Sequence, residues 1–404
     1  MSITVYKGKG LKILADVEND RIKLTSKSLL SPVGKHVVKE MNKYYAHERP
    51  LMVEDGQIHF SGWIPPMPSR AFTRLFNNEM KAKMTGKYIP EQVSVAVTGR
   101  CPCNCVFCCA KGIRAKPELS LDEMKSIIDQ SLKMGTHLFT FDGGEPLLRK
   151  DIYDIIEYVD DRAVTVMFTN GLKLTRSVAR RLKKAGLRCL QVSIDSPYQK
   201  DHDDIRGVKG IFEKATQGIR YAVEEGLITG IYYVARPENT DERTLEDLYK
   251  LARKTGAHEI CIYDIIAIGK WLTHEAETMT RKDRNRTIEF HKRMNRPGVK
   301  GPKVMSFSYF ESPEKFGCMA GKRWIHLTPA GDIIPCSYTP LTFGSIREEP
   351  LSKIYKRIRG HQEYKDNTKC LIQEKRFRNK YIYTIPEEES LPYPICNIDS
   401  CSEG

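Results

Sequence analysis

No run of 18 or more consecutive apolar residues occurs in the 404-residue chain, so the sequence offers no membrane-spanning helix. The first ten residues, Met-Ser-Ile-Thr-Val-Tyr-Lys-Gly-Lys-Gly, lack the apolar core of a secretion signal. The expectation is a cytoplasmic protein whose 12 cysteines stay reduced and serve metal ligation rather than disulfides. Acidic residues are in short supply, with 51 Asp+Glu against 65 Lys+Arg and a formal net charge of +14. That balance favours an acidic partner (nucleic acid, an anionic membrane surface, an acidic peptide, a phosphorylated substrate) or a solvated Lys/Glu-rich surface. Hydrophobic residues at 40% and charged residues at 29% place the chain among soluble globular proteins. Its length calls for one large domain with appendages.

What is abundant is thiol, and it is concentrated. Cys101-Pro-Cys103-Asn-Cys105-Val-Phe-Cys108-Cys109 packs five cysteines into nine residues directly after the apolar run Val93-Ser94-Val95-Ala96-Val97. Disulfides need Cα separations and Cβ directions that so short a loop rarely supplies, whereas thiolates on one loop can converge on a metal centre. Cys101, Cys105 and Cys108 leave gaps of three and two residues. Three thiolates can hold three irons of a [4Fe-4S] cube and leave the fourth iron open, with Cys103 and Cys109 as spares.

From Val93 onward, β-rich runs alternate with helical patterns. Strands are expected at Val93–Val97, Leu138–Asp142, Val164–Thr169, Cys189–Ile194, Thr229–Val234 and Glu259–Tyr263. Helices are expected near Leu121–Met134, Asp151–Val159, Arg176–Ala185, Ile211–Glu225 and Thr244–Thr255. Six βα units predict an α/β fold, a partial (β/α)6 TIM-type barrel over residues 93–265, with chemistry at the strand C-terminal ends. The cysteine loop follows the first strand.

Residues 1–92 fall outside that pattern and read as an α+β accessory region. Ile13, Ile22 and Leu24 suggest a short β element. A helix over Pro32–Tyr45 puts Val33, Val37, Met41 and Tyr44 on one face. Another over Ser69–Met84 puts Phe72, Leu75, Phe76, Met80 and Met84 on one face, with Arg70, Arg74, Lys81 and Lys83 largely elsewhere. Such a basic amphipathic helix packs on its own domain or lies on an anionic membrane. No separate leader-peptide-binding module is evident in this region.

The Cys-x3-Cys-x2-Cys spacing, with Phe107 before its last cysteine, resembles the signature of the radical SAM superfamily. Gly143-Gly144-Glu145-Pro146 after the second strand resembles that family's "GGEP" motif. Thr169-Asn170-Gly171 and the run Ser193-Ile194-Asp195-Ser196…His202-Asp203-Asp204-Ile205-Arg206-Gly207 are similar to its polar contacts with S-adenosylmethionine (SAM). The resemblance implies a [4Fe-4S] cluster on Cys101, Cys105 and Cys108. It implies SAM contacts from Phe107, Gly143, Gly144, Glu145, Thr169, Asn170, Ser193 and Arg206, the Glu145 carboxylate taking the SAM ammonium. His202 is equally a structural histidine, and Arg236 either faces the site or forms an ion pair.

Residues 266–317 read as a linker with a helix over Thr280–Met294, Thr280 being its cap. A second cysteine group follows. Twelve residues separate Cys318 from Gly331 and four more separate Gly331 from Cys336, with a hairpin of Trp324–Leu327 and Asp332–Ile334 between. This block, over residues 318–404, resembles a SPASM/twitch extension carrying auxiliary iron–sulfur clusters. The family's dense Cys-x2-Cys-x5-Cys-x3-Cys run is missing. Five thiols cannot fill two four-thiolate cubes, so one auxiliary [4Fe-4S] cluster is expected on Cys318, Cys336, Cys396 and Cys401, with Cys370 the substitute. A mononuclear four-cysteine iron or zinc site satisfies the same spacing.

The resemblance implies reductive cleavage of SAM to a 5′-deoxyadenosyl radical that abstracts hydrogen from an unactivated C–H bond. It also implies a low-potential electron donor and a peptide or protein substrate. Modification of membrane lipid chains, with peripheral contact to an anionic membrane, is the alternative, and a non-catalytic electron carrier is the remote one. DNA is not an expected partner.

Overall fold

The computed structural model describes residues 2–8, 10–27, 32–45, 48–312, 315–365 and 367–399. Strands β1 (Ser2–Gly8), β2 (Leu11–Glu18) and β3 (Arg21–Lys27) form an antiparallel meander. Its alternating residues Ile13, Ala15, Ile22 and Leu24 are buried, the pattern of a sheet with one covered face. Helix α1 (Pro32–Tyr45) lies along β3. Its Asn42 carboxamide accepts from the Leu24 N–H at 2.8 Å and donates to the Leu24 carbonyl at 2.6 Å. That double bond blunts an edge that would otherwise invite strand pairing. Val37 is buried and Met41 half-buried as expected, while the side chains of Val33 and Tyr44 lie outside the described part of the helix.

A small hairpin, β4 (Met52–Glu54) and β5 (Gln57–His59), leads to α2 (Arg70–Thr85), whose cap Ser69 accepts from the Phe72 N–H. Phe72 and Phe76 are completely buried, Leu75 and Met80 half-buried, and Met84 exposed. Phe76 packs against Tyr6 with ring centroids 4.5 Å apart. The apolar face is therefore spent on the N-terminal core, which removes the feature that suggested membrane contact. Among the described residues no helix is long and apolar enough to cross a membrane. Phe72→Ala should cost about 3–5 kcal/mol in chemical denaturation, the usual penalty for emptying a filled aromatic site. A loss below about 1 kcal/mol would show that this face is not packed.

The remainder is built on one nine-stranded, mostly parallel open sheet. The elements run β6 (Gln92–Thr98), α3 (Leu121–Met134), β7 (Leu138–Gly143), α4 (Ile152–Glu157), β8 (Val164–Thr169), α5 (Arg176–Lys184), β9 (Cys189–Ser193), α6 (Gln199–Arg206), α7 (Ile211–Glu224), β10 (Ile228–Ala235), α8 (Glu242–Thr255) and β11 (Glu259–Asp264). Then follow α9 (Arg281–Met294), β12 (Lys303–Ser306), α10 (Phe307–Phe310), β13 (Trp324–Leu327), β14 (Ile333–Ile334) and α11 (Leu351–Gly360). Strand order is β12-β11-β10-β9-β8-β7-β6-β13-β14, and only the β13–β14 pair is antiparallel. Capping boxes at Ser120/Glu123 and Thr280/Asp283 start α3 and α9, each satisfying two otherwise orphaned N–H groups.

Two expectations need correction. The stretch 266–317 is more than a linker, since β12 within it pairs in parallel with β11. Four residues are too short a run to show period-two patterning. The β13–β14 hairpin is not confined to a separate extension: β13 pairs in parallel with β6, so the sheet continues into the C-terminal part.

The N-terminal region also packs against the N-terminal ends of β11 and β12. The Gly62 N–H donates to Glu259 Oε2 at 3.0 Å, and Lys303, buried, sits 3.1 Å from Glu48. Trp63 Nε1 donates to Cys261 Sγ at 3.3 Å, and the indole packs against Phe168 and Phe307.

Candidate functional site

At the C-terminal ends of these strands lies a cavity of about 1050 Å³. The loop after β6 forms one wall and is tied down along its length. Asn104 and Val106 donate their N–H groups to the carbonyls of Arg206 and Ile205 at 3.0 and 3.1 Å, and the Lys270 N–H donates to the Cys108 carbonyl at 3.1 Å. The base of the loop is held by the segment after β7. The Gly144 N–H donates to the Thr98 carbonyl at 2.7 Å and the Glu145 N–H to the Arg100 carbonyl at 2.8 Å. A Cβ at Gly143 would stand 2.4 Å from the Thr98 carbonyl oxygen and one at Gly144 2.2 Å from that of Arg100. The paired glycines are thus needed where two backbones cross, directly before the first thiol.

Cys101, Cys105 and Cys108 all line the cavity, as do Phe107, Gly143, Gly144, Thr169, Asn170, Ser193 and Arg206. Glu145 does not: it is wholly buried, and its carboxylate accepts from Thr169 Oγ1 (2.7 Å), the Asn170 N–H (2.7 Å) and the Leu147 N–H (3.1 Å). The sequence reading gave this carboxylate to the ligand. The structure spends it on fixing the Thr169-Asn170 turn, whose Asn170 Nδ2 reaches 3.9 Å from Cys101 Sγ.

Arg206 is held by Asp195 (Nε–Oδ2 2.6 Å) and turns Nη1 to Cys105 Sγ at 3.5 Å. The Cys103 thiol hydrogen-bonds both neighbours. It is the main cause that pulls Cys101 down to about 7 and Cys105 to about 6, with Arg206 reinforcing the second. Burial pushes Cys109 up to about 12 and also raises Cys108. Three thiols on one loop, two of them favoured as thiolates, facing a cavity with polar donors beside them, suit an iron–sulfur cluster. His202 is structural: it is fully buried, and its Nδ1 accepts from the Asp195 N–H at 3.1 Å. Arg236 pairs with Glu238 at 2.7 Å and stands over the Phe107 ring, 5.8 Å from its centroid.

The far side of the cavity holds groups that the sequence reading did not single out. Trp63, Phe168, Tyr232, Tyr263 and Phe307 give it an aromatic floor. The chain separates them too widely for any local pattern to gather them. Asp142 stands at the end of β7, 3.9 Å from His326 Nδ1, which hydrogen-bonds Ser94 Oγ at 2.8 Å. Burial pushes Asp142 up to about 7 and His326 down to about 3. Asp142 Oδ1 is out of water's reach and has no hydrogen-bond partner.

Because folding raises the Asp142 pKa, its contribution favours the native state at low pH and is lost as pH climbs from about 4 through about 7. Asp142→Asn should therefore stabilise the protein by about 2 kcal/mol at pH 8, a shift of about three units discounted for the part of the side chain that faces the cavity. The gain should be near zero at pH 4. Equal gains at both values would contradict the assignment.

The C-terminal cysteines divide. Cys318 and Cys336 are buried in one small cluster, and both bear electrostatically on Cys370. Cys396 is exposed and disulfide-bonded, and Cys401 lies outside the described residues. Cys370, the expected substitute, thus lies near Cys318 and Cys336. Among the described residues no three or more His, Cys, Asp or Glu side chains are placed to hold a single metal ion.

Two family models match the chain. A radical SAM superfamily model matches residues 95–252, and the model of an iron–sulfur cluster-binding domain named SPASM matches 318–382. An AdoMet-dependent heme synthase of Methanosarcina barkeri is 27% identical over 316 residues, covering 70% of this chain and 88% of that protein. A PqqA peptide cyclase of Granulibacter bethesdensis is 27% identical over 288 residues, covering 68% and 76%. Streptococcus suis SuiB, solved bound to S-adenosylmethionine, shares the fold with a TM-score of 0.60 at 15% identity, over 90% of this chain and 96% of its own. The two models together span more than half of the chain, with the cysteine loop inside the first and Cys318, Cys336 and Cys370 inside the second, and the chain belongs to the radical SAM superfamily as an enzyme with a SPASM iron–sulfur domain.

Proposed function

We propose that the enzyme modifies a peptide or protein substrate by radical chemistry. A [4Fe-4S] cluster with SAM would supply a 5′-deoxyadenosyl radical able to take hydrogen from an unactivated C–H bond. The residues of this chain do the rest. Cys101, Cys105 and Cys108 would hold the cluster. Arg206 and Asn170 direct donors at two of the three sulfurs, which stabilises thiolate. Gly143, Gly144 and Ser193 leave room for SAM, and the aromatic floor keeps water from the reacting carbon.

The observation that carries the peptide reading is the remaining space. Beyond the cysteine loop, the cavity still offers an aromatic surface and the Asp142 carboxyl, whose Oδ1 has no hydrogen-bond partner. Together they suit an amino-acid side chain with an apolar stem and a donor tip. The likeness to PqqA peptide cyclases, over 68% of this chain, supports it. A second reading is a tetrapyrrole substrate, favoured by Lys270, Arg281, Arg284 and Lys369 on the cavity wall and by the likeness to heme synthases.

The test incubates anaerobically reduced holoenzyme with SAM and size-fractionated extract from a strain lacking the gene. Formation of 5′-deoxyadenosine above the substrate-free background should follow the polypeptide fractions and vanish after protease treatment. Activity that survives protease and follows tetrapyrrole absorbance would overturn the peptide reading.

A further inference from the structure

We propose that Glu311 is the fourth protein ligand of the auxiliary cluster, joining Cys318, Cys336 and Cys370. It would fill the position expected for Cys396 or Cys401. The proposal rests on the SPASM domain holding one such cluster.

Backbone hydrogen bonds bring the four groups to one place. Phe316 N–H to the Phe310 carbonyl (3.0 Å) and Gly317 N–H to the Ser312 carbonyl (3.1 Å) fold the turn bearing Glu311 against the residues that enter Cys318. The Cys318 N–H donates to the Thr368 carbonyl at 3.1 Å, which sets the Cys370 segment beside it. The Gly321 N–H donates to the Pro335 carbonyl at 2.9 Å, which brings in Cys336. Glu311 bears electrostatically on each of the three thiols. Among the described residues its carboxyl makes no hydrogen bond or ion pair, and Glu311, like Cys370, lines the cavity.

A carboxyl set among three thiols with no cation is a costly arrangement for a purely structural residue. A ferric–ferrous cluster removes that cost, because carboxylate oxygen is an acceptable iron ligand alongside thiolate. Only three cysteines of the matched SPASM region are available, and a cube takes four protein ligands when none is external.

The test uses the full chain, reconstituted anaerobically with Cys101, Cys105 and Cys108 replaced by alanine so that only the auxiliary site reports. In that background about four irons per chain are expected. Glu311→Gln should lower this to about three after mild oxidation and change the electron paramagnetic resonance signal. Glu311→Cys should restore about four irons with a shifted midpoint potential, which separates ligand loss from misfolding. Replacing Cys396 and Cys401 with alanine should leave iron and spectrum unchanged. Unchanged iron and spectrum in Glu311→Gln overturns the proposal, and so does loss of the cluster in the Cys396/Cys401 variant. Absence of iron from the background protein overturns it together with the auxiliary cluster.

Discussion

Cys105→Ala is expected to halve the iron of the reconstituted protein, from about eight to about four per chain for two cubes, and to lower 5′-deoxyadenosine formation at least about 1000-fold. The size of the effect follows from the position of this thiol. It is the most buried of the five in the loop, receives the Arg206 guanidinium, and shares a hydrogen bond with Cys103. The backbone around it is fixed by bonds to Ile205 and Arg206 that do not involve its sulfur. The variant should consequently unfold within about 1 kcal/mol of the parent, since only one sulfur is removed. Cys109→Ala provides the contrast: a thiol whose pKa burial raises to about 12 should be removable without loss of iron. Full iron in Cys105→Ala would transfer its role to Cys103, which lies within hydrogen-bonding reach of both expected ligands.

The difference between these neighbouring cysteines was only partly legible in the sequence. Spacing singled out Cys101, Cys105 and Cys108, and the structure brings all three to one cavity, because the geometry of a short loop is written in consecutive residues. The same holds for the six barrel strands and for α2, whose apolar stripe and Ser69 cap are read within sixteen residues. Glu145 shows the limit. A motif names the residue, but whether its carboxylate meets a ligand or a threonine depends on β8, more than twenty residues away. Trp63 and Phe307 were invisible for the stronger reason that the floor is assembled by the N-terminal region between β5 and α2 and by the short α10, neither of which carries a periodic pattern. The placement of Glu311 and Cys370 near Cys318 and Cys336 belongs to the same class. Each depends on three or four segments tied together by backbone hydrogen bonds after the chain has folded.

The Asp195–Arg206 pair joins fold and site, and its loss should be the largest stability defect of any single polar substitution at the site. Asp195 is fully buried and Arg206 nearly so, with Nε 2.6 Å from Oδ2. Asp195→Ala leaves the guanidinium buried without a counter-charge, a change expected to cost about 3–5 kcal/mol in urea unfolding. The Arg206 carbonyl anchors Asn104 in the cysteine loop, so iron retention should also fall. A double substitution separates the two consequences. Asp195→Leu combined with Arg206→Met replaces the pair with apolar groups of similar volume, and such exchanges often recover most of the stability. If the pair served only the fold, this variant would bind SAM normally. Arg206 also lines the cavity and faces Cys105, so the stable double variant should instead bind SAM at least about tenfold more weakly, about 1.4 kcal/mol. Equilibrium binding to the iron-loaded protein measures this, and a double variant with both stability and SAM affinity intact would reduce Arg206 to a structural residue.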